Sequence, residues 1–164
     1  MARAKLDPID LQILRELQAD GRMTNVELSR RVGISAPPCL RRVRALEESG
    51  LIEGYHARLV ARALGFEITV FAHVSLSRQT GPELAAFERL AADWPLVRAC
   101  YMLNGDIDFL LRCVAPNLST FQTFLTDELT AAPNVASVKT SLVIRAAKDA
   151  PDVPFELADQ TAGE

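Results

Sequence analysis

Three arginines lie close together in the first third of the chain, at Arg41, Arg42 and Arg44. A guanidinium group donates hydrogen bonds in a planar fork, which fits a phosphate or the O6 and N7 edge of guanine. The helical period places Arg41 opposite the expected inward residues and places Arg42 and Arg44 on either side of it. Those inward residues are Leu40, Val43 and Leu46, and the opposite face holds Pro38, Arg41 and Ala45. A group of arginines by itself is more often a solvated helix face than a binding site. The neighbouring residues must therefore show which of the two it is.

The surrounding residues predict three short helices joined by tight turns. The first begins at the cap Asp7 with Pro8 in its first position, and it ends near Ala19, before Asp20-Gly21-Arg22. Thr24 and Glu27 have the spacing of a capping box, which opens a second helix that ends at Gly33. The third is expected to be capped by Ser35 and to run to Gly50.

This arrangement of helix, turn and arginine-bearing second helix is typical of a reader of the DNA major groove. Small residues at the start of the third helix would let it approach the bases closely. The candidate DNA-binding residues are Ser35, Ala36, Pro37, Pro38, Arg41, Arg42 and Arg44. Residues 51–57 are expected to form a short strand or wing, after which Arg58 and Arg62 can contact phosphates without reading sequence.

The distribution of charge agrees with double-stranded DNA as a partner of the N-terminal part only. The net charge of the whole chain is −3, which by itself argues against a nucleic-acid binder. Residues 1–62 hold 11 Lys and Arg against 8 Asp and Glu, or +3, whereas residues 63–164 hold 7 against 13, or −6. The first part can therefore approach phosphates, and the second is not expected to do so.

The remainder of the chain alternates between strand and helix patterns. Strands are predicted over residues 66–76, 97–103, 107–114 and 135–144, and helices start at Thr80 and after Asn117. The order βαββαβ predicts a ferredoxin-like, four-stranded antiparallel sheet with both helices on one face. Phe71 and Leu110 point to the other face, so a second subunit is its natural cover, although a modest exposed patch is also tolerable. The fold class is therefore α+β, and at least a dimer is expected.

Several ordered motifs together resemble the leucine-responsive and asparagine-synthetase regulator family, Lrp/AsnC. They are Leu6-Asp7-Pro8-Ile9-Asp10, Asp20-Gly21-Arg22, Val32-Gly33-Ile34-Ser35, Cys39-Leu40-Arg41-Arg42-Val43, Leu46-Glu47-Glu48-Ser49-Gly50-Leu51-Ile52 and Gly105-Asp106-Ile107-Asp108. The resemblance implies a winged helix-turn-helix, followed by a domain that dimerises, often assembles further into octamers, and binds amino acids or related small effectors.

The same resemblance suggests where an effector binds. An amino acid needs acceptors for its ammonium group and donors for its carboxylate. Asp106 and Asp108 supply acceptors, and the N–H groups near Gly105 with the hydroxyls of Thr140 or Ser141 supply donors. The candidate effector-binding residues are Met102, Leu103, Asn104, Gly105, Asp106, Asp108, Thr140 and Ser141. Without the resemblance, Asn104-Gly105-Asp106 would simply be a good hairpin turn.

The expected organisation is a DNA-binding domain over residues 1–58, a linker over 59–65, an effector and assembly domain over 66–148, and a loosely ordered polar tail over 149–164. Cys39, Cys100 and Cys113 have no metal-binding or disulfide spacing, so free thiols are expected. The sequence shows no membrane span or signal peptide. We expect a cytoplasmic, nucleoid-associated protein without cofactor or metal.

Two other functions are open at this point. An enzyme of amino-acid metabolism is disfavoured because the chain has only His56 and His73, no activated cysteine and no glycine-rich phosphate loop. A sequence-tolerant architectural DNA protein would bind its own promoter and random DNA with equal affinity. The hypothesis that agrees with most of the residues is a sequence-specific transcription regulator that responds to an amino acid.

Overall fold

The computed structural model of the protein describes residues 6–150 and 153–158. The chain divides into two compact units. The first contains the described residues of Met1–Arg58 and of Lys148–Glu164, and the second is Leu59–Ala147. The first unit is therefore built from both ends of the chain.

The first unit contains the three predicted helices and a short C-terminal one. They are α1 (Pro8–Ala19), α2 (Asn25–Arg31), α3 (Ala36–Glu48) and α6 (Phe155–Ala158). Asp7 caps α1 in a complete capping box, because its carboxylate accepts from the N–H of Asp10 at 2.8 Å and its own N–H donates to the Asp10 carboxylate. Gly33, with φ of 73°, makes the left-handed turn that separates α2 from α3.

Two of the other predicted caps are only partly correct. Thr24 accepts from the N–H of Glu27, but Glu27 directs its carboxylate to Arg30 and Arg31 rather than back to the cap. Ser35 occupies the N-cap position of α3, yet its hydroxyl makes no capping hydrogen bond. The N–H groups it would accept from are scarce, because Pro37 and Pro38 have none.

The core of the first unit is small and helical. Its buried side chains are Ile13, Leu28, Val32, Cys39 and Leu46. The prediction that Leu40 faces inward is wrong: Leu40 is 39% exposed, whereas Cys39 is fully buried. Cys39, Val43 and Leu46 follow the i, i+4, i+7 spacing of one helix face, so the apolar stripe begins one residue earlier than predicted.

The predicted strand over residues 51–57 does not form, since these residues have no regular secondary structure. Tyr55 fixes the segment instead, because its hydroxyl donates to Glu47 Oε1 of α3 at 2.9 Å. Burial, together with the neighbouring Glu47 carboxylate, raises the pKa of Tyr55 to about 12. The hydroxyl therefore stays protonated and keeps donating to Glu47 at neutral pH.

The second unit is a four-stranded antiparallel sheet with two helices, in the predicted βαββαβ order. The strands lie side by side in the order β2-β3-β1-β4. Their bounds are β1 (Ile68–Leu76), β2 (Val97–Met102), β3 (Phe109–Ala115) and β4 (Val135–Leu142), and the helices are α4 (Gly81–Asp93) and α5 (Leu118–Phe124). A π-helical turn, Leu125–Leu129, extends α5, and a short 3-10 turn, Ala61–Leu64, precedes the sheet.

One face of the sheet packs against both helices, as predicted. The buried residues of this face and of the helices include Val74, Leu111 and an aromatic group of Phe87, Trp94, Phe109 and Phe124. Leu90 of α4 and Leu118 of α5 lie outside this core and are exposed, whereas Phe124 of α5 is buried in it. The core is dominated by rings, which bury large apolar areas per residue.

The other face of the sheet is left uncovered by the helices of this unit. A row of cross-strand neighbours runs over it from Tyr101 through Leu110 and His73 to Lys139. In the adjacent row, Phe71 pairs with Arg112 on one side and Ser141 on the other. Phe71 and Leu110 are half-buried and Tyr101 is 53% exposed. We call this surface the open sheet face.

The C-terminal tail is more ordered than predicted where it can be described. Residues 153–158 include the helical turn α6, and Val153 is hydrogen-bonded to Gln18 of α1. Residues 151, 152 and 159–164 of the predicted tail lie outside the described residues.

Cys39 and Cys113 are buried free thiols and Cys100 is half-buried, which confirms the prediction for the cysteines. Burial raises the pKa of Cys113 to about 11, so this thiol stays neutral. Across the described part of the chain, no three His, Cys, Asp or Glu side chains gather into a group able to hold a metal ion. None of the helices described there has the length and apolar character that crossing a membrane requires.

Candidate functional site

The outer face of α3 presents two arginines to solvent. Arg41 and Arg44 are both exposed, and Pro37 lies on the same stripe at the i, i+4, i+7 spacing. Within residues 6–150 and 153–158, neither arginine forms an ion pair with an acid. Their guanidinium groups are therefore available to a ligand that carries phosphates or hydrogen-bond acceptors.

The start of α3 is held in place but offers few donors of its own. The side-chain amide of Asn25, at the start of α2, donates to the carbonyl of Ala36 at 2.8 Å and so fixes the turn between the helices. Because Pro37 and Pro38 lack N–H groups, this end of α3 is a poor anion site. Ser35 and Pro37 are exposed, while Ala36 and Pro38 are half-buried. This small, largely apolar end suits close approach to base edges better than it suits phosphate binding.

Arg42 is arranged differently from its two neighbours. Its Nη1 donates to Asp7 Oδ2 at 2.6 Å and to Asp10 Oδ1 at 2.7 Å, so it ties α3 to the first turn of α1. These hydrogen bonds to Asp10 and Asp7 raise the pKa of Arg42. The pKa of the Asp7 carboxyl is lowered, first by the N–H of Asp10 and also by Arg42. We call this group of three charged side chains the α1–α3 latch.

The latch gives Arg42 a positioning role that its sequence neighbours cannot reveal. Asp7 and Asp10 lie more than thirty residues before it, so the contact is tertiary. In the sequence, Asp7 and Asp10 are recognisable only as the two acids of a capping box, and nothing nearby links them to Arg42. Among the seven candidate DNA-binding residues, Arg42 is therefore the one whose charge is already engaged inside the unit.

We expect Arg42→Ala to lower the melting temperature by only a few degrees, because the latch is partly exposed and solvent screens it. The pH dependence of this stability difference follows from the pKa of Asp7. Because folding lowers the pKa of the Asp7 carboxyl, its contribution to the free energy of unfolding is present above the pKa of the unfolded state. That contribution is lost as the pH falls through the pKa of the folded state. Thermal melts of the wild type and Arg42→Ala should therefore differ at pH 7 and converge under acid conditions. An equal difference at both pH values would contradict the latch.

The second group of candidate residues lies on the loop between β2 and β3. The loop is closed by a hydrogen bond from the N–H of Leu103 to the carbonyl of Asp108 at 2.8 Å. Its tip is exposed at Asn104, Gly105 and Asp106, and Met102 is 59% exposed. Within the described residues, the N–H groups of Gly105 and Asp106 have no hydrogen-bond partner. The tip thus combines one free carboxylate with free backbone donors.

Asp108 is partly committed to the fold. Its Oδ2 accepts from the N–H of Leu76 at 2.6 Å, and its own N–H donates to the carbonyl of Val74 at 3.0 Å. These bonds fix the loop to the end of β1. A ligand can use only the remaining acceptor capacity of this carboxylate, whereas Asp106 is uncommitted.

Thr140 and Ser141 do not meet the loop within one chain. Thr140 pairs with Ala72 and Ser141 with Phe71, so the two hydroxyl residues point to opposite faces of the sheet. The strand β1 lies between β3 and β4, so these two strands are about 10 Å apart. The eight candidate effector residues therefore form two groups rather than one site in a single subunit.

Comparison with known proteins identifies both units. A family model described as the Lrp/AsnC ligand binding domain matches residues 69–153, and one described as winged helix-turn-helix DNA-binding matches residues 6–53. The leucine-responsive regulatory protein of Rhizobium meliloti (strain 1021) is 58% identical over 92% of this chain and 96% of its own length. The chain belongs to the Lrp/AsnC family.

Other transcription regulators are also similar to this chain. The Bkd operon transcriptional regulator of Pseudomonas aeruginosa is 46% identical over 87% of this chain and 93% of its own. The crystal structure of a Neisseria meningitidis transcriptional regulator in complex with L-Met has a TM-score of 0.88 and 34% identity, and it covers 94% of this chain and 99% of that one.

The chain is thus a DNA-binding transcription regulator of the Lrp/AsnC family with a ligand-binding domain, and its relatives are regulators rather than enzymes. The α+β fold predicted from the sequence, a winged helix-turn-helix followed by a four-stranded antiparallel sheet with helices, is confirmed.

Proposed function

We propose that the protein binds double-stranded DNA through α3, with Arg41 and Arg44 as the residues that contact it directly. The observation that carries this proposal is the contrast along one helix: Arg42 is paired with two acids, whereas Arg41 and Arg44 are exposed and pair with no acid in the described residues. Arg41 lies nearest the small end of α3 and is assigned to a guanine edge. Arg44, further along, is assigned to the phosphate backbone.

The remaining candidate residues support this geometry in other ways. Ser35, Ala36, Pro37 and Pro38 let the end of α3 approach the bases, and apolar contacts of Ala36 or Pro37 suit a thymine methyl group. Arg42 acts as a positioning residue, since it holds α3 against α1.

The active form is proposed to be a homodimer that buries the open sheet face. The face combines the apolar or aromatic side chains of Phe71, Leu110 and Tyr101 with the polar side chains of His73, Arg112 and Lys139. Aromatic residues and arginine are enriched in subunit interfaces. A dimer places two recognition helices in successive major grooves of a pseudo-palindromic site, about 34 Å apart. Further assembly into an octamer follows the family resemblance.

The effector is proposed to be an amino acid bound where subunits meet. The loop tip supplies Asp106 for the ammonium group and the free N–H groups of Gly105 and Asp106 for the carboxylate. Met102 and Leu103 supply apolar contact for the side chain. Thr140 and Ser141 lie too far from the loop of their own chain, so they are assigned to the site of a neighbouring subunit. The L-Met complex of the Neisseria regulator supports this ligand class.

Such binding would shift the subunits relative to one another and so change the affinity for DNA. We also propose that residues 1–58 and 66–148 are the functional domains, joined by the linker 59–65. The protein would act in the cytoplasm, on the nucleoid, where its DNA ligand is.

The effector assignment is tested by Asp106→Asn, which keeps the shape of the side chain and removes its charge. We expect affinity for the bound amino acid to fall about tenfold or more, because a charge-assisted hydrogen bond to the ammonium group is lost. Isothermal titration calorimetry with the twenty amino acids first identifies the ligand and then measures the variant. Asp93→Asn, an exposed acid at the end of α4, is the matched control.

Two outcomes would reject the effector proposal. Unchanged affinity in Asp106→Asn would remove the loop tip from the site. Absence of heat with every amino acid at two well-separated temperatures would exclude this ligand class for the wild-type protein, because the enthalpy of binding changes with temperature and cannot be zero at both.

A further inference from the structure

The C-terminal segment of the chain lies against α1 and is bound there through its backbone. The side chain of Gln18 makes two hydrogen bonds to one residue: its Nε2 donates to the carbonyl of Val153 at 2.7 Å, and its Oε1 accepts from the N–H of Val153 at 3.2 Å. One side-chain amide therefore satisfies both backbone groups of Val153, as a neighbouring β-strand would.

Two arginines bind the segment on either side of Val153. Arg58 donates to the carbonyl of Asp149 at 2.7 Å and pairs with its carboxylate. Arg15 donates to the carbonyl of Phe155 at 3.4 Å, and its guanidinium carbon lies 6.0 Å from the centre of the Phe155 ring. Three side chains of the first unit thus bind three positions of the segment.

We propose that Arg15, Gln18 and Arg58 form a docking surface for the C-terminal segment of the same chain, which they bind at Asp149, Val153 and Phe155. The DNA-binding unit is complete only when this segment is bound. Gln18 recognises both backbone groups of Val153 and so sets the position of the segment. The Asp149 carboxylate and the Phe155 ring supply selectivity, because only a segment with both features fills all three contacts.

The consequence for α3 follows from the position of the contacts on α1. The first turn of α1 carries Asp7 and Asp10, which hold Arg42 of α3. The second half of α1 carries Arg15 and Gln18, which hold the C-terminal segment. Release of the segment loosens the helix to which α3 is tied, so DNA affinity decreases. This consequence, unlike the docking itself, rests on the proposed function.

The test is hydrogen exchange of the full-length protein, followed by mass spectrometry of the peptides that contain residues 149–158. Gln18→Ala removes both hydrogen bonds and is expected to speed exchange of Val153 about tenfold. Gln18→Glu keeps the acceptor for the Val153 N–H but loses the donor to its carbonyl, so an intermediate rate is expected. Gln122→Ala, an exposed glutamine of α5, is the matched control and should exchange as the wild type.

Each result decides one part of the proposal. Docking is overturned if these peptides exchange at unstructured rates in the wild type, or if Gln18→Ala behaves as Gln122→Ala does. The link to DNA is tested by the same variants in a binding titration, where Gln18→Ala should bind several-fold more weakly. Release of the segment with unchanged DNA affinity would overturn that link. Exchange needs no DNA, so failure of docking is distinguished from failure of the proposed function.

Discussion

Replacing Arg41 with alanine is expected to weaken binding to a specific DNA site by about 10- to 100-fold, which corresponds to about 1–3 kcal/mol for a bidentate guanine contact. The stability of the variant should equal that of the wild type, because Arg41 is exposed and forms no ion pair within the described residues. Fluorescence anisotropy of labelled DNA measures the change, and a thermal melt checks that the variant is intact.

The control for Arg41 is Arg89→Ala, which removes one exposed arginine from α4 of the second unit and changes the net charge equally. If Arg41 reads a base, its loss lowers specific binding much more than nonspecific binding, whereas loss of a phosphate contact lowers both alike. Persistence of both kinds of binding at moderate salt would show that α3 is not the recognition helix.

The second large effect is expected from Leu110→Asp on the open sheet face. In a dimer that buries this face, the carboxylate of each subunit would lose its water, and the two-fold symmetry would add two like charges to one interface, at a cost of about 3 kcal/mol or more. The dissociation constant of the dimer should therefore rise at least ~100-fold. The isolated subunit should still fold, because Leu110 is only half-buried and points away from the core that contains Phe109 and Leu111. Analytical ultracentrifugation measures the assembly.

A matched control is available in Leu118→Asp, since Leu118 is 52% exposed at the start of α5. An acid in the first turn of a helix is favourable, so this variant should remain folded and assembled.

DNA affinity should fall with Leu110→Asp because two linked recognition helices bind more tightly than one. A stable dimer with wild-type DNA affinity in Leu110→Asp would place the subunit interface elsewhere.

The order of the elements was predictable because each signal is local. The Asp7 cap, the Gly33 turn and the alternation of β1 depend on neighbouring residues, and the structure contains all three. The buried face of α3 was predicted wrongly by one residue. Cys39 and Leu40 are both apolar, and small differences in the start of the helix decide which of them is buried.

Tertiary contacts account for what the sequence did not predict. The composition of the C-terminal segment predicts loose order, but Gln18 and Arg15, more than 130 residues away, bind Val153 and Phe155. The helical period gives Arg42 and Arg44 similar places on either side of Arg41, but only Arg42 lies beside Asp7 and Asp10. Both contacts join charged or amide side chains, whose partners have no local signature.

The candidate effector-binding residues show a second reason why a site is difficult to predict from sequence. A motif predicts that Asp106 and Asp108 share a loop, but it does not predict that Asp108 accepts from the N–H of Leu76. Thr140 and Ser141 are adjacent in sequence and therefore face opposite sides of β4. A ligand site that needs two subunits cannot be assembled from the pattern of one chain.

The central claim is that an amino acid controls specific DNA binding by this regulator. The most direct measurement is fluorescence anisotropy with DNA from upstream of its own gene and with scrambled DNA, each with and without a panel of amino acids. We expect tighter binding to the upstream DNA and a change in that affinity with at least one amino acid. Equal affinity for both DNAs, with no response to any amino acid, would contradict the account.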